Sequence, residues 1–293
     1  MNKIERRTID ELVARYILEP ELRDIYVEGP SDKKLFKWFL NKNECNNIEI
    51  YEINSIDIND DLINTLGLQS RNRDRLVALS VELERFLPIS IKYVLCIADS
   101  DFDFLLGRKY GSRYLLYTDY TSIEIYFYYE QIIENILLFG TSRDTIYIPA
   151  LMENLTEILQ ELFIIRSANE KLGWGLTWVD FIRNCKIKNG LIEFGIRKFI
   201  EKYLIKNNKL DRIDEFIETR EELKKVKVET HKHRIHGKDY LELLGWYISK
   251  LVPKGGHNYR NKQIMRTIIF QAADVRELTN EKMFEKLVGI YKN

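Results

Sequence analysis

Prolines number five and cysteines three in 293 residues, positive and negative side chains cancel, and no long apolar run occurs. Each scarcity removes a class of protein. With so few prolines and no Gly/Ser-rich stretch, the chain has no long flexible linker and reads as compact throughout. Cys45, Cys96 and Cys185 are widely spaced, odd in number and free of CxxC pairs, which argues against a disulfide framework or a cysteine zinc site and points to a reducing compartment. Lys and Arg total 45 and Asp and Glu total 45, so no global field draws the chain to nucleic acid or membrane. Any polyanion must be held by a local patch or through a metal ion. No segment approaches the roughly 18 apolar residues of a membrane span, and residues 1–7 are charged where a signal peptide needs an apolar core. The expectation is a soluble, cytoplasmic protein without membrane contact. There is no GxxxxGKS/T, so the chain is not itself a P-loop ATPase, and no GxGxxG follows a strand.

What is present is a globular balance of 45% hydrophobic and 31% charged residues. Thr8-Ile9-Asp10-Glu11 has the capping-box pattern that opens an amphipathic helix. Residues 24–28 form a β-branched and aromatic run that stops at Gly29-Pro30, and Leu35, Phe36, Phe39 and Leu40 then recur at helical spacing behind a proline suited to a first helical turn. Residues 48–53 read as a second strand. Residues 59–86 are helical in period, with Leu76, Leu79, Leu83 and Phe86 on one face. Residues 93–98 are apolar on both faces of the pleat, as in a central parallel strand covered by helices. A strand over 114–117 precedes a helical pattern over 122–138, and beyond about residue 140 amphipathic segments follow one another, such as 151–165, 191–205, 213–223 and 240–251. The predicted class is α/β. A small parallel sheet flanked by helices spans 1–140, with a helical insertion near 59–87, and a mostly α-helical domain spans 141–293.

Two acidic strand ends carry the chemistry. Glu28 precedes Gly29 at the end of the first strand, and Asp99-x-Asp101-x-Asp103 leaves the buried strand. Ligands collect at the carboxyl ends of strands in open α/β sheets, and alternating carboxylates there offer the hard oxygen atoms that Mg²⁺ and Mn²⁺ take while keeping water and substrate phosphate. An Asp-rich turn by itself is usually a solvated loop. An EF-hand is excluded, because Phe104 and Tyr110 stand where its loop needs Gly and Glu. A haloacid-dehalogenase-like phosphatase is disfavoured by Asp103 and leaves Glu28 unexplained.

Together, Val27-Glu28-Gly29 and Asp99-Ser100-Asp101 resemble the TOPRIM fold of topoisomerases, primases and OLD nucleases, over roughly residues 23 to 138. The runs 26–34, 98–103, Tyr117-Thr118-Asp119-Tyr120-x-Ser122-Ile123-Glu124 and His236-Gly237-Lys238-Asp239-Tyr240-Leu241 resemble in order the TOPRIM-like proteins of bacterial anti-phage loci, the AriB-type effectors of PARIS defence systems. That resemblance implies a metal-dependent nuclease acting on RNA, such as tRNA, ahead of DNA. It implies a toxic effector of abortive infection, held in check by an ATPase partner of the AriA type, and it admits a homodimer. Carried over by position, Glu28 is general base or metal ligand, Asp99 and Asp101 hold the first Mg²⁺ or Mn²⁺, and Asp103 assists. Glu124 is either a second-metal ligand or the third residue of a capping box begun by Thr121. Asp119 is a weaker candidate.

Lys238 has a catalytic reading, as a cation stabilising charge on a transferring phosphate; alternatively it is a solvated lysine near a helix start, with Asp239 as that helix's cap. The densest basic stretch runs over 224–238 and is a candidate phosphate-contacting strip. His231, His233 and His236 within it lack a clear fourth ligand for zinc. Trp174 and Trp178 read as core or interface. The competing class is a non-catalytic TOPRIM-like subunit that binds nucleic acid or a partner.

Overall fold

The computed structural model describes residues 6–108, 110–141, 146–252 and 255–292. In chain order its elements begin with β1 (Arg7–Thr8), α1 (Ile9–Leu18), β2 (Arg23–Val27), α2 (Pro30–Lys42), β3 (Ile48–Glu52), β4 (Ile56–Asp57), α3 (Asp60–Thr65) and α4 (Asn72–Phe86). There follow β5 (Val94–Ala98), α5 (Asp103–Leu106), β6 (Leu115–Tyr117), α6 (Glu130–Gly140), α7 (Ile148–Leu172), β7 (Cys185–Lys188), β8 (Leu191–Phe194) and α8 (Ile196–Lys206). The series closes with α9 (Ile213–Lys225), α10 (Gly237–Leu251), α11 (Lys262–Gln271), α12 (Val275–Thr279) and α13 (Lys282–Tyr291).

These elements form two compact units, one of Met1–Ser100, Lys109–Asp119 and Asp274–Asn293, the other of Asp101–Arg108 and Tyr120–Ala273. The units differ from the expected halves divided at residue 140. Helical period shows that a segment is amphipathic but not which core it joins, so the membership of α12 and α13 was not legible.

The first unit is built on a four-stranded parallel sheet in the order β3-β2-β5-β6. On one face Tyr26, Val94, Cys96 and Ala98 share a core with Leu12 and Tyr16 of α1 and with Leu76, Val77, Leu79 and Leu83 of α4. Ile25, Val27, Leu95 and Ile97 alternate to the other face and are buried as well. That double burial explains the continuous apolar run of β5. Phe284 of α13 packs on Phe36 and Phe39 of α2, with ring centroids 5.8 and 4.6 Å apart. Thr8 and Glu11 form the capping box of α1 through bonds of 3.2 and 2.7 Å. Asp24, buried in β2, accepts from Arg15 at 3.0 Å and from the Tyr16 hydroxyl at 2.8 Å, while burial pushes its carboxyl up.

The second unit is mostly helical, with one antiparallel hairpin, β7–β8. Two expected helices are shorter here. Residues 123–127 form a 3₁₀ turn, and α6 starts only at Glu130; the five consecutive β-branched or aromatic side chains of Ile125–Tyr129 crowd a regular helix. Residues 191–194 alternate and pair as β8 before α8 begins. No helix of the described residues is long and apolar enough to cross a membrane.

Candidate active site

In the first unit, β2 and β5 are adjacent and parallel, with Tyr26 opposite Cys96. Both strands end within two residues of that pair, so Glu28 and Asp99 emerge side by side at the carboxyl edge. The Asp99 backbone N–H donates to Glu28 Oε1 at 3.0 Å, fixing the carboxylate against the neighbouring strand end. Both residues are half-buried. The first turn of α4 braces the pair from behind: Asn72 Nδ2 donates to the Glu28 carbonyl at 2.9 Å, and Arg73 Nε donates to the Asp99 carbonyl at 3.1 Å. The Arg73 guanidinium is itself buried, bonded to Asp74 Oδ1 at 2.7 Å. The segment expected as an insertion therefore supports the acid pair.

Neighbouring loops are tied down as well. Ser100 N–H donates to Thr118 Oγ1 at 3.0 Å and its hydroxyl to the Thr118 carbonyl at 2.5 Å. Gly29 caps α2, its N–H donating to Asp32 Oδ2 at 3.1 Å. Asp119 Oδ2 accepts from the Met283 N–H at 2.9 Å, which gives this weaker candidate a structural duty at the start of α13.

The remaining sequence candidates belong to the second unit. Asp101 has φ of 42°, in the left-handed region that Asp tolerates better than most residues, and its N–H donates to the Thr121 carbonyl at 2.9 Å. Asp103 opens α5, whose flanking rings Phe102 and Phe104 lie on Phe163 and His233. Glu124 is 5% exposed and accepts from Arg266 Nε at 2.8 Å and Nη2 at 2.5 Å. The turn that contains it is capped by Ser122, with no side-chain cap bond. The capping-box reading of Glu124 is thus corrected: a buried carboxylate has taken a guanidinium partner from α11.

Lys238 is exposed near the start of α10. The residues around it have duties that spacing did not reveal. A Cβ on Gly237 would lie 2.3 Å from Ser122 Oγ and 2.4 Å from Glu124 Oε2, so this close approach requires glycine. Asp239, expected as a cap, is fully buried and bonded by Arg166 Nε and Nη2 at 2.6 and 2.7 Å. The Arg166 guanidinium lies 3.6 Å from the centre of the Trp178 ring. His236 caps α10 by position, its Nδ1 3.6 Å from Asp239 Oδ2; burial is the largest influence on it and pushes its pKa down to about 4. His233 stacks on Phe104 with centroids 3.9 Å apart and His231 meets Tyr128 edge-on, so the three histidines face different partners.

Among the described residues, no three or more His, Cys, Asp or Glu side chains gather as a metal-binding group. The donor chemistry still fits Mg²⁺ or Mn²⁺, because such ions are commonly held by one or two carboxylates, with water and substrate phosphate completing the shell. Glu28 and Asp99 supply two. In comparisons with known proteins, no family model and no curated protein matches this chain.

Proposed function

We propose that the protein is a divalent-metal-dependent phosphodiester hydrolase of the TOPRIM type, a nuclease whose acid pair is Glu28 and Asp99. The observation that carries this reading is the bond between the Asp99 N–H and Glu28 Oε1, which holds two acidic strand ends together at the carboxyl edge of a parallel sheet. Glu28 and Asp99 would hold Mg²⁺ or Mn²⁺, with Asp101 and Asp103 following Asp99 along the same loop. The ion would supply Lewis-acid polarisation of a phosphoryl group and neutralise charge developing on it. The chain's own part is positional: the Asp99 N–H orients Glu28, and Asn72 and Arg73 hold the two backbones from which the acids project. Preorganisation of this kind spares the site reorganisation during reaction. The resemblance to AriB-type effectors extends the reading to RNA, including tRNA, to a role in anti-phage defence, and to control by an ATPase partner.

The test is cleavage of RNA and DNA by purified protein. Mg²⁺ or Mn²⁺ should support turnover, and Glu28→Gln should lower it by about 10²- to 10⁴-fold. Gln retains an oxygen to accept the Asp99 N–H, so the melting temperature should stay near that of the wild type. Full cleavage by the variant, or by the wild type after exhaustive chelation, refutes the assignment and leaves the binding-only subunit.

A further inference from the structure

We propose that a basic face formed by the β7–β8 hairpin, α8 and the turn after it docks the phosphodiester backbone of a nucleic acid. This deepens the nuclease reading and rests on it for the class of ligand. The charge distribution is the starting point. Residues 181–212 contain nine Lys and Arg against three Asp and Glu, in a chain that balances 45 against 45. The stretch over 224–238, denser in sequence, is partly spent internally. Lys224 Nζ sits 2.7 Å from Glu161 Oε1, and Arg234 turns its guanidinium onto the carbonyls of Val226 and Lys224.

On α8, Phe199, Ile200, Tyr203 and Leu204 are buried, which leaves Lys198, Lys202 and Lys206 exposed on the opposite side. They recur every fourth residue, so neighbouring lysines stand about 6 Å apart along the helix. The hairpin continues the surface. Cys185 of β7 points inward, while Lys186 and Lys188 are exposed by the alternation of the strand. Lys202 Nζ donates to Asn184 Oδ1 at 3.0 Å, which joins the helical row to the start of β7 between Arg183 and Lys186.

Compensation within the face is slight. Arg183 pairs with Asp180 at 3.1 Å, Lys188 with Glu193 at 3.0 Å, Arg197 with Glu201 at 3.3 Å and Arg212 with Glu215 through two bonds of 2.6 and 2.7 Å, all at exposed or half-exposed positions where an ion pair is worth little. Among the described residues, Lys186, Lys198, Lys202 and Lys206 have no carboxylate partner. A lipid surface is the poorer fit, because membrane-surface helices insert their apolar face and that of α8 is already buried in the unit. A row of flexible point charges suits an extended series of phosphates, whose counterions it releases.

The experiment measures binding without turnover. Glu28→Gln protein is titrated with a 20-nucleotide oligouridylate across a range of KCl concentrations, alone and with Lys186→Gln, Lys198→Gln and Lys206→Gln combined. The triple change should weaken binding at least tenfold at low salt and reduce the log–log salt slope by roughly 0.7 per lost contact, about 2 in all. The corresponding triple Lys→Arg protein should keep both affinity and slope. Exposed lysines tolerate such changes with little loss of stability, which a melting curve verifies. Unchanged affinity and slope overturn the proposal, as does weakened binding with an unaltered slope. If the wild type proves unable to cleave, the catalytic reading falls while this measurement stands by itself.

Discussion

The half-buried position of His236 at the start of α10 couples the stability of the fold to pH. Its imidazole, ordinarily titrating near 6.5, is pushed down to about 4 by burial, with Arg166 and Lys238 adding to the shift and Asp239 and Glu124 opposing it. Between those two values the unfolded chain binds a proton that the folded chain refuses. Its contribution to stability is therefore present above pH 6.5 and drains as pH falls toward 4, by up to about 3 kcal/mol. Urea unfolding of His236→Asn should show a flatter pH dependence through this interval than the wild type. An equally steep dependence would assign the acid sensitivity to other groups.

At the scale of elements, the first turn of α4 braces the acid pair while the rest of the helix packs into the core. Asn72→Ala removes one hydrogen bond to the Glu28 carbonyl and should cost about 1 kcal/mol. Arg73→Ala takes the cation from the buried Asp74 carboxylate, leaving it the Gln69 N–H at 3.1 Å, and also releases the Asp99 carbonyl, and should cost about 3 to 5 kcal/mol. Denaturant titration of both variants checks the order; equal losses would mean that the Gln69 N–H suffices to hold the Asp74 carboxylate. Sequence made the strand ends legible because Glu28 and Asp99 each follow a buried apolar run directly. The brace was hidden, since Asn72 lies 44 residues from Glu28 and polar side chains at a helix start have many uses. Glu124 with Arg266 and Asp239 with Arg166 are separated by 142 and 73 residues, and pairs so distant leave no local period to read. The β7–β8 hairpin was missed for another reason: its strands are four residues each, too short for alternation to outweigh the helical pattern that follows.

For the whole molecule, α12 and α13 complete a unit whose sheet was laid down by the first 119 residues. Met283, Phe284, Leu287 and Tyr291 are each 1% exposed or less. At roughly 1.5–3 kcal/mol for each buried large side chain, their loss rivals the entire stability of an ordinary domain. Deleting residues 274–293 should therefore abolish the cooperative melt of the sheet unit, and expression of residues 140–293 alone should leave Phe284 without its partners on α2. A truncated protein that melts like the full chain would contradict this. The discontinuity also sets a schedule for synthesis. Asp119 leaves the ribosome about 155 residues before Asp274, an interval of roughly 8 to 30 s at 5–20 residues per second. During that time both acids of the candidate centre have been translated, yet the helices that finish their unit have not. Translation thus separates the encoding of the candidate edge from the arrival of the helices that complete its unit.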